Sequence, residues 1–234
     1  MVNQNLAPLQ QAKAFSSQPD GFQRFSLLNW VYIEGMRAFH SAGLVHRDIK
    51  CDNILLNSPP GSGRVHIKIS DFGFAKKVDL NVAQTYTAGT VPYMGPELFK
   101  KPIRLTQKVD IYALGITFYK LITHKYPVNE GNFKEQGKKM VLLKSIGRPS
   151  EIKDNLLWNL LSKLLEFDPD KRISAAEALQ HPYFTSSEAL ADISPEQQEL
   201  ASIAFIEEEE EEEDLRLKQI FIQENIFQYL LNEF

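Results

Sequence analysis

Between Val45 and Gly73 the chain concentrates groups that can handle a phosphate. The run Val45-His46-Arg47-Asp48-Ile49-Lys50-Cys51-Asp52-Asn53 is followed by Asp71-Phe72-Gly73. Moving a phosphoryl group onto a hydroxyl needs metal ions to neutralise the phosphates, a carboxylate to accept or orient the hydroxyl proton, and cations near the transferred group. Carboxylate and amide oxygens are hard donors suited to magnesium. The two motifs supply all of these in one short stretch.

The flanking sequence predicts the elements that hold them. From Ser26 onward, Leu28, Val31, Tyr32, Met36 and Phe39 recur at three- and four-residue intervals, which predicts a helix that Gly43 ends just before His46. Ile54-Leu55-Leu56 and Val65-His66-Ile67-Lys68-Ile69 are β-prone and separated by Pro59, Pro60, Gly61 and Gly63, so they read as a hairpin holding the first motif beside the second. Thr106 is the expected N-cap of a helix over about 107–122, whose middle, Ile111 to Ile116, is apolar nearly all round and belongs in the centre of a domain. Leu156, Leu157, Leu160, Leu161, Leu164 and Leu165 form a second helical stripe read as core. Ser174 with Glu177 is a capping box opening a short helix that stops near His181-Pro182. The fold class is mainly α with a small β hairpin.

Taken together, the first two motifs resemble the catalytic loop and metal-binding triplet of eukaryotic protein kinases. Gly89-Thr90-Val91-Pro92-Tyr93-Met94-Gly95-Pro96-Glu97 resembles the end of that family's activation segment, with Gly95 where the family usually has Ala. Asp110-Ile111-Tyr112-Ala113-Leu114-Gly115, Asp168-Pro169-Asp170-Lys171-Arg172 and His181-Pro182-Tyr183-Phe184 follow in the family's order, and the resemblance covers about residues 20–185. It implies ATP and Mg2+ as cofactors, Asp48 as the catalytic carboxylate, Lys50 at the γ-phosphate, Asn53 and Asp71 as metal ligands, and Leu55 beneath the adenine. His46, Phe72 and Gly73 would be structural, Asp110 would anchor the catalytic loop, and Glu97 would pair with Arg172. Lys50 two positions after Asp48, with Thr90 ahead of Pro96, matches the serine/threonine pattern, so a protein Ser/Thr hydroxyl is the expected acceptor. Arg47 would pair with a phosphate on the activation segment, for which Thr85, Tyr86 and Thr87 are the candidates.

One departure shapes the expectation. No glycine-rich phosphate loop and no strand lysine with a partnering helix Glu precede His46, and Gly61-Ser62-Gly63 reads as a turn. The chain therefore reads as a kinase-like C-terminal lobe truncated at its N-terminus. Micromolar binding amounts to roughly 8 kcal/mol and a hydrogen bond to a charged group to about 1.5–3 kcal/mol, so the chain alone is expected to hold Mg-ATP weakly. The alternative is a catalytically inactive lobe used as a binding module.

Composition fits a globular protein: 43% of the 234 residues are hydrophobic and 24% charged. The net charge of −4 hides an acidic run at 207–214, with the rest mildly basic. No apolar stretch reaches the roughly 18 residues of a membrane span, and the first thirty residues lack a basic segment followed by an apolar one. A cytoplasmic or nuclear location is expected, with neither membrane nor nucleic acid as partner. The single cysteine, Cys51, excludes an internal disulfide and reads as packing. The expected organisation is a polar leading segment over 1–25, the lobe over 26–185 and a tail over 186–234. An apolar helix over 215–231 in that tail is expected to dock on this chain or on a partner.

Overall fold

The computed structural model describes residues 21–57, 66–77, 89–187 and 189. All of them fall in the first of two compact units, Met1–Ala189; the second, Leu190–Phe234, lies outside the described residues, as do the acidic run and the predicted tail helix.

Six helices and two small two-stranded sheets make up the described part. Helix α1 (Gly21–Ser41) ends where Gly43, at φ +74°, turns its amide back onto the His40 carbonyl. Its buried face carries Tyr32, Ile33 and Met36; Val31 is half-buried. Strands β1 (Leu44–Val45), β2 (Ile54–Asn57), β3 (His66–Ile69) and β4 (Lys76–Lys77) follow. β2 and β3 form the predicted antiparallel hairpin, with Ile54 opposite Ile69. β1 and β4 pair antiparallel as well, Leu44 against Lys77 and Val45 against Lys76, and this second sheet adds to the single expected hairpin. It clamps the chain entering the first motif to the chain leaving the second.

Helix α2 (Lys108–Thr123) is the hub. Every residue from Val109 to Tyr119 is buried, which is how a helix apolar all round must sit. Gln107, not the expected Thr106, stands at the N-cap and makes no side-chain cap bond; the Thr106 hydroxyl one residue earlier accepts from the Lys108 amide at 3.3 Å. Helix α4 (Asn155–Leu164), capped by Asp154, presses Leu157, Leu160, Leu161 and Leu164 against α2. The approach is close: a Cβ at Gly115 would lie 2.9 Å from Leu165 Cδ2 and 3.1 Å from Leu164 Cβ, so an alanine there would force the two helices apart. Leu156 departs from the expected stripe and is 40% exposed, because the helix spends it on the solvent side.

Helix α3 (Phe133–Leu142), which periodicity did not suggest, is capped by Asn132 and buries only Gln136 and Met140. The Gln136 amide ties the preceding loop by accepting from Glu130 N and donating to Val128 O. Helix α5 (Ala175–Leu179) opens with both hydrogen bonds of the Ser174–Glu177 capping box, and α6 (Pro182–Thr185) closes the lobe. Among the described residues no helix is long and apolar enough to cross a membrane.

Candidate active site

The first motif hangs from the central helix. Asp110, buried in the first turn of α2, accepts the His46 amide at Oδ2 and the Arg47 amide at Oδ1, both at 2.8 Å, and Oδ2 also receives His40 Nε2 at 3.0 Å. These bonds hold Arg47 at φ +71°, a left-handed conformation costly for a residue with a Cβ. The His46 ring, fully buried, accepts the Asp48 amide at Nδ1 and donates through Nε2 to the Ser70 carbonyl at 3.2 Å. It thus joins the two motifs through one imidazole.

The chain's turn at Arg47 delivers Asp48 into a saturated pocket. Lys50 Nζ donates to Asp48 Oδ2 at 2.5 Å, the Thr90 hydroxyl donates to Oδ1 at 2.8 Å, and Lys50 also reaches Thr90 Oγ1 at 3.4 Å. Asn53 Nδ2 donates to the Asp48 carbonyl at 2.9 Å, with Asp48 Oδ2 3.4 Å away. Burial raises the Asp48 pKa, but the Lys50 and Thr90 hydrogen bonds, the Lys50 charge and the Asn53 amide outweigh it and hold the carboxyl below its ordinary 3.8. Asp48 is therefore an ionised acceptor whose two oxygens face a cation and a hydroxyl.

The hairpin brings the second motif alongside. With Ile54 opposite Ile69, the Ser70 amide and hydroxyl both donate to the Asn53 carbonyl, at 3.0 and 3.1 Å. Asp71 follows at φ +65° and starts a turn over Phe72–Phe74. Its carboxylate is exposed and carries no hydrogen bond or ion pair among the described residues; Asn53, having spent its amide nitrogen, likewise leaves Oδ1 uncommitted. A Cβ at Gly73 would come within 3.3 Å of Asp71 Oδ1, so the glycine keeps that carboxylate's surroundings open. Two free hard oxygens on adjacent strand ends suit Mg2+, which takes one or two protein carboxylates and fills its remaining positions with water and phosphate. No cluster of three or more His, Cys, Asp or Glu side chains able to hold a metal occurs among the described residues. Phe72 packs against His46 at 5.3 Å and Phe39 at 5.7 Å between ring centroids, and leaves 51% of its surface exposed.

Below the site, Glu97 and Arg172 make a buried two-pronged ion pair at 2.6 and 2.9 Å. Arg172 also donates to the Glu166 and Lys108 carbonyls and stacks its guanidinium 4.9 Å from the Tyr112 ring, so each end of the pair is compensated. Gly95 belongs to this arrangement. A Cβ there would stand 2.5 Å from Glu97 Oε2, inside the space the pinned carboxylate occupies.

Of the predicted site residues, the structure thus brings together Asp48, Lys50, Asn53, Thr90, His46 and Asp110 in one network, sets Asp71, Phe72 and Gly73 beside it, and pairs Glu97 with Arg172. Arg47 turns its Nε to the Phe74 carbonyl at 2.5 Å. Thr85, Tyr86 and Thr87 lie outside the described residues, and so does the side chain of Leu55, whose backbone is in β2. Three contributors escaped the sequence reading. His40 closes the Asp110 cluster from the last turn of α1, the Ser70 hydroxyl ties the motifs, and Gln107 Nε2 donates to the His40 carbonyl. His40 could have been found from its place on the same face as Met36 and Phe39; the other two carry no signal outside the fold.

The protein kinase domain pattern matches residues 4–184. The chain belongs to the protein kinase family, on its serine/threonine side. It is 33% identical over 169 residues to the serine/threonine-protein kinase shk1/pak1 of Schizosaccharomyces pombe, covering 70% of this chain and 24% of that protein. To the serine/threonine-protein kinase cds1 of the same yeast it is 36% identical over 164 residues, 65% of this chain and 34% of the relative. Serine/threonine-protein kinase H1 of Mus musculus is 35% identical over 163 residues, 67% of this chain and 37% of the relative. The matched segments thus span about a quarter to a third of those relatives' lengths.

Proposed function

We propose that this chain carries the phosphoryl-transfer half of a serine/threonine protein kinase site, on a lobe spanning about residues 26–185. The observation that carries the reading is the Thr90 hydroxyl, 2.8 Å from Asp48 Oδ1 while Lys50 holds the other oxygen. It stands to the carboxylate as an acceptor serine or threonine hydroxyl would. In this reading Asp48 orients the incoming hydroxyl and takes up its proton as the new P–O bond forms and the bond from the γ-phosphorus to the bridging oxygen breaks, with ADP as the leaving group. Lys50, fixed between Asp48 and Thr90, supplies positive charge beside the transferred group. Asn53 Oδ1 and Asp71 would hold Mg2+. That ion, bound with ATP, neutralises phosphate charge. A depressed pKa keeps Asp48 ionised and ready to accept a hydrogen bond across the neutral range.

The test is transfer from ATP to a serine- or threonine-containing peptide by the intact protein and its Asp48→Asn variant. Loss of the positioned carboxylate is expected to lower kcat by about 10²- to 10⁴-fold with little change in the peptide's KM. Equal turnover by the variant would remove Asp48 from the role. An intact protein that binds peptide but transfers nothing would favour the inactive binding lobe instead.

A further inference from the structure

The proposed reaction leaves unused a cavity of about 350 Å³ at the C-terminal end of α4. Small-molecule sites run from roughly 300 to 1,000 Å³. No residue lining this one belongs to the network around Asp48. Its apolar wall is Ile146, from the loop after α3, with Leu165 and Phe167 from the chain leaving α4. Leu165 is 2% exposed and lies so close to α2 that a Cβ on Gly115 would stand 2.9 Å from its Cδ2. Phe167 rests edge-on against Tyr112, with ring centroids 6.3 Å apart. The hub helix therefore backs the cavity with a fixed hydrophobic floor.

The polar part of the lining favours an anion. Lys163 and Lys171 face it with a single acid, Glu166. The Ile173 amide donates to the Lys163 carbonyl at 3.3 Å, which folds the segment carrying Lys171 back along the end of the helix. Lys171 pairs loosely with Asp168 at 3.6 Å, its side chain 77% exposed. Lys163 makes no ion pair among the described residues; its charge reaches Glu177 and His181 only through space. Free carbonyls at a helix C-terminus would repel an anion. Here Leu161 accepts the Leu165 amide at 2.9 Å and Glu166 accepts Arg172 Nε at 2.7 Å, so these carbonyls are already engaged. Glu166 Oε1 accepts the Asp168 amide at 3.1 Å, which holds that carboxylate to its own loop. The exposed Ser145 hydroxyl adds a donor with no partner among the described residues.

We propose that this cavity binds a small monocarboxylate carried on an aromatic ring. The ring fills the space between Ile146, Leu165 and Phe167, and the carboxylate lies where Lys163, Lys171 and Ser145 can donate to it. One negative charge matches two lysines set against one glutamate. A cation would meet two ammoniums, and a dianion would leave one charge unmatched beside Glu166. A rigid ring suits the fixed floor, since it can pack against Phe167 and gives up little conformational freedom on binding.

The test is calorimetric titration of the intact protein with cinnamate, cinnamyl alcohol and cinnamylamine, which share one apolar body and differ in charge. Cinnamate is expected to bind about tenfold more tightly than the alcohol, the scale of one charge-assisted bond, with the amine weakest. Replacing both lysines, Lys163→Met with Lys171→Met, should bring cinnamate down to the level of the alcohol. Ile146→Trp, which fills the cavity, should remove binding of both. An excess of Mg-ATP should leave the cinnamate affinity unchanged, because the cavity shares no residue with the site around Asp48. Both lysines are exposed, so the double variant keeps the fold, and the charge series on the parent needs no variant at all. Absence of cinnamate binding at millimolar concentration, equal affinities for acid and alcohol, or a preference that survives the double lysine variant would overturn the assignment. Displacement of cinnamate by Mg-ATP would put the probe in the other site and overturn it too.

Discussion

The two motifs that meet at the site are built in opposite ways. His46, Asp48, Asn53 and Asp110 are all buried and tied together by hydrogen bonds, within the loop between Asp48, Lys50 and Asn53 and across the fold to α2 and Thr90. Asp71, Phe72, Gly73 and Phe74 are all exposed, and Asp71 projects a carboxylate with no protein partner among the described residues. Each motif nonetheless contains one residue in the left-handed region, Arg47 and Asp71. At Arg47 the strain is offset by hydrogen bonds that the residue donates, from its amide to Asp110 and from its Nε to the Phe74 carbonyl. At Asp71 the residue type itself tolerates the conformation, since a short polar side chain visits it more readily than others. The loop is fixed by the fold, while the triplet keeps its donor free for something outside the fold. A group that orients a hydroxyl needs the first arrangement, and a group that binds an exchangeable ion needs the second.

That contrast makes stability and ligand response separable. The largest stability loss should come from the buried foundation. Arg172→Met leaves Glu97 without its partner in a dry site, and breaking such a pair costs about 3–5 kcal/mol. Thermal or denaturant unfolding would register it, and a change below about 1 kcal/mol would mean that water reaches Glu97. Next is Asp110→Asn. One carboxylate oxygen that accepts a backbone amide becomes an NH2 facing that same amide, and a buried donor loses a charged acceptor, so about 2–3 kcal/mol is expected. Because the same bonds hold Arg47 left-handed, kcat should fall together with stability.

How much of this was legible beforehand follows the range of the interactions. The order of the motifs, the β2–β3 hairpin, the all-apolar α2 and the Ser174 capping box are local patterns, readable within a few residues. The β1–β4 pair is two residues long on each side and joins segments about thirty residues apart, so neither strand has a pattern of its own. α3 escaped because Phe133–Leu142 buries just Gln136 and Met140, too few for a periodic stripe. Leu156 was assigned to the core because leucine type was read without the angle it takes on the helix. Within the site, residue identity was legible and the way it is held was not. Nothing in an Arg at position 47 announces a positive φ, since the cause is a carboxylate on a helix more than sixty positions away.

Asp71→Asn sharpens the comparison from the other side. Asparagine accepts the left-handed backbone as readily as aspartate, and no protein partner is lost, so unfolding should change by less than about 0.5 kcal/mol. What should disappear is any rise in Tm on adding Mg2+ with ATP, since the variant removes the free carboxylate proposed for the ion. Destabilisation comparable to that of Asp110→Asn would show that the triplet is structural after all and that the contrast between the two motifs is false.

The smallest effect tests the saturated carboxylate itself. Asp48 titrates below its ordinary 3.8 in the folded protein because Lys50, Thr90 and Asn53 favour the charged form more than burial opposes it. The unfolded chain then binds the proton first as pH falls. Asp48 therefore contributes stability that is fully present above about pH 4, declines below it and is lost as pH drops through the folded value. Asp48→Asn abolishes that contribution, so stability of the variant should vary less steeply with pH below about 4 than that of the parent, while the two curves run parallel at neutral pH. Denaturant midpoints measured from pH 7 down to pH 3 would reveal the difference. Parallel curves over the whole range would mean that the network leaves Asp48 unperturbed, and the loop would lose the feature that most separates it from the triplet.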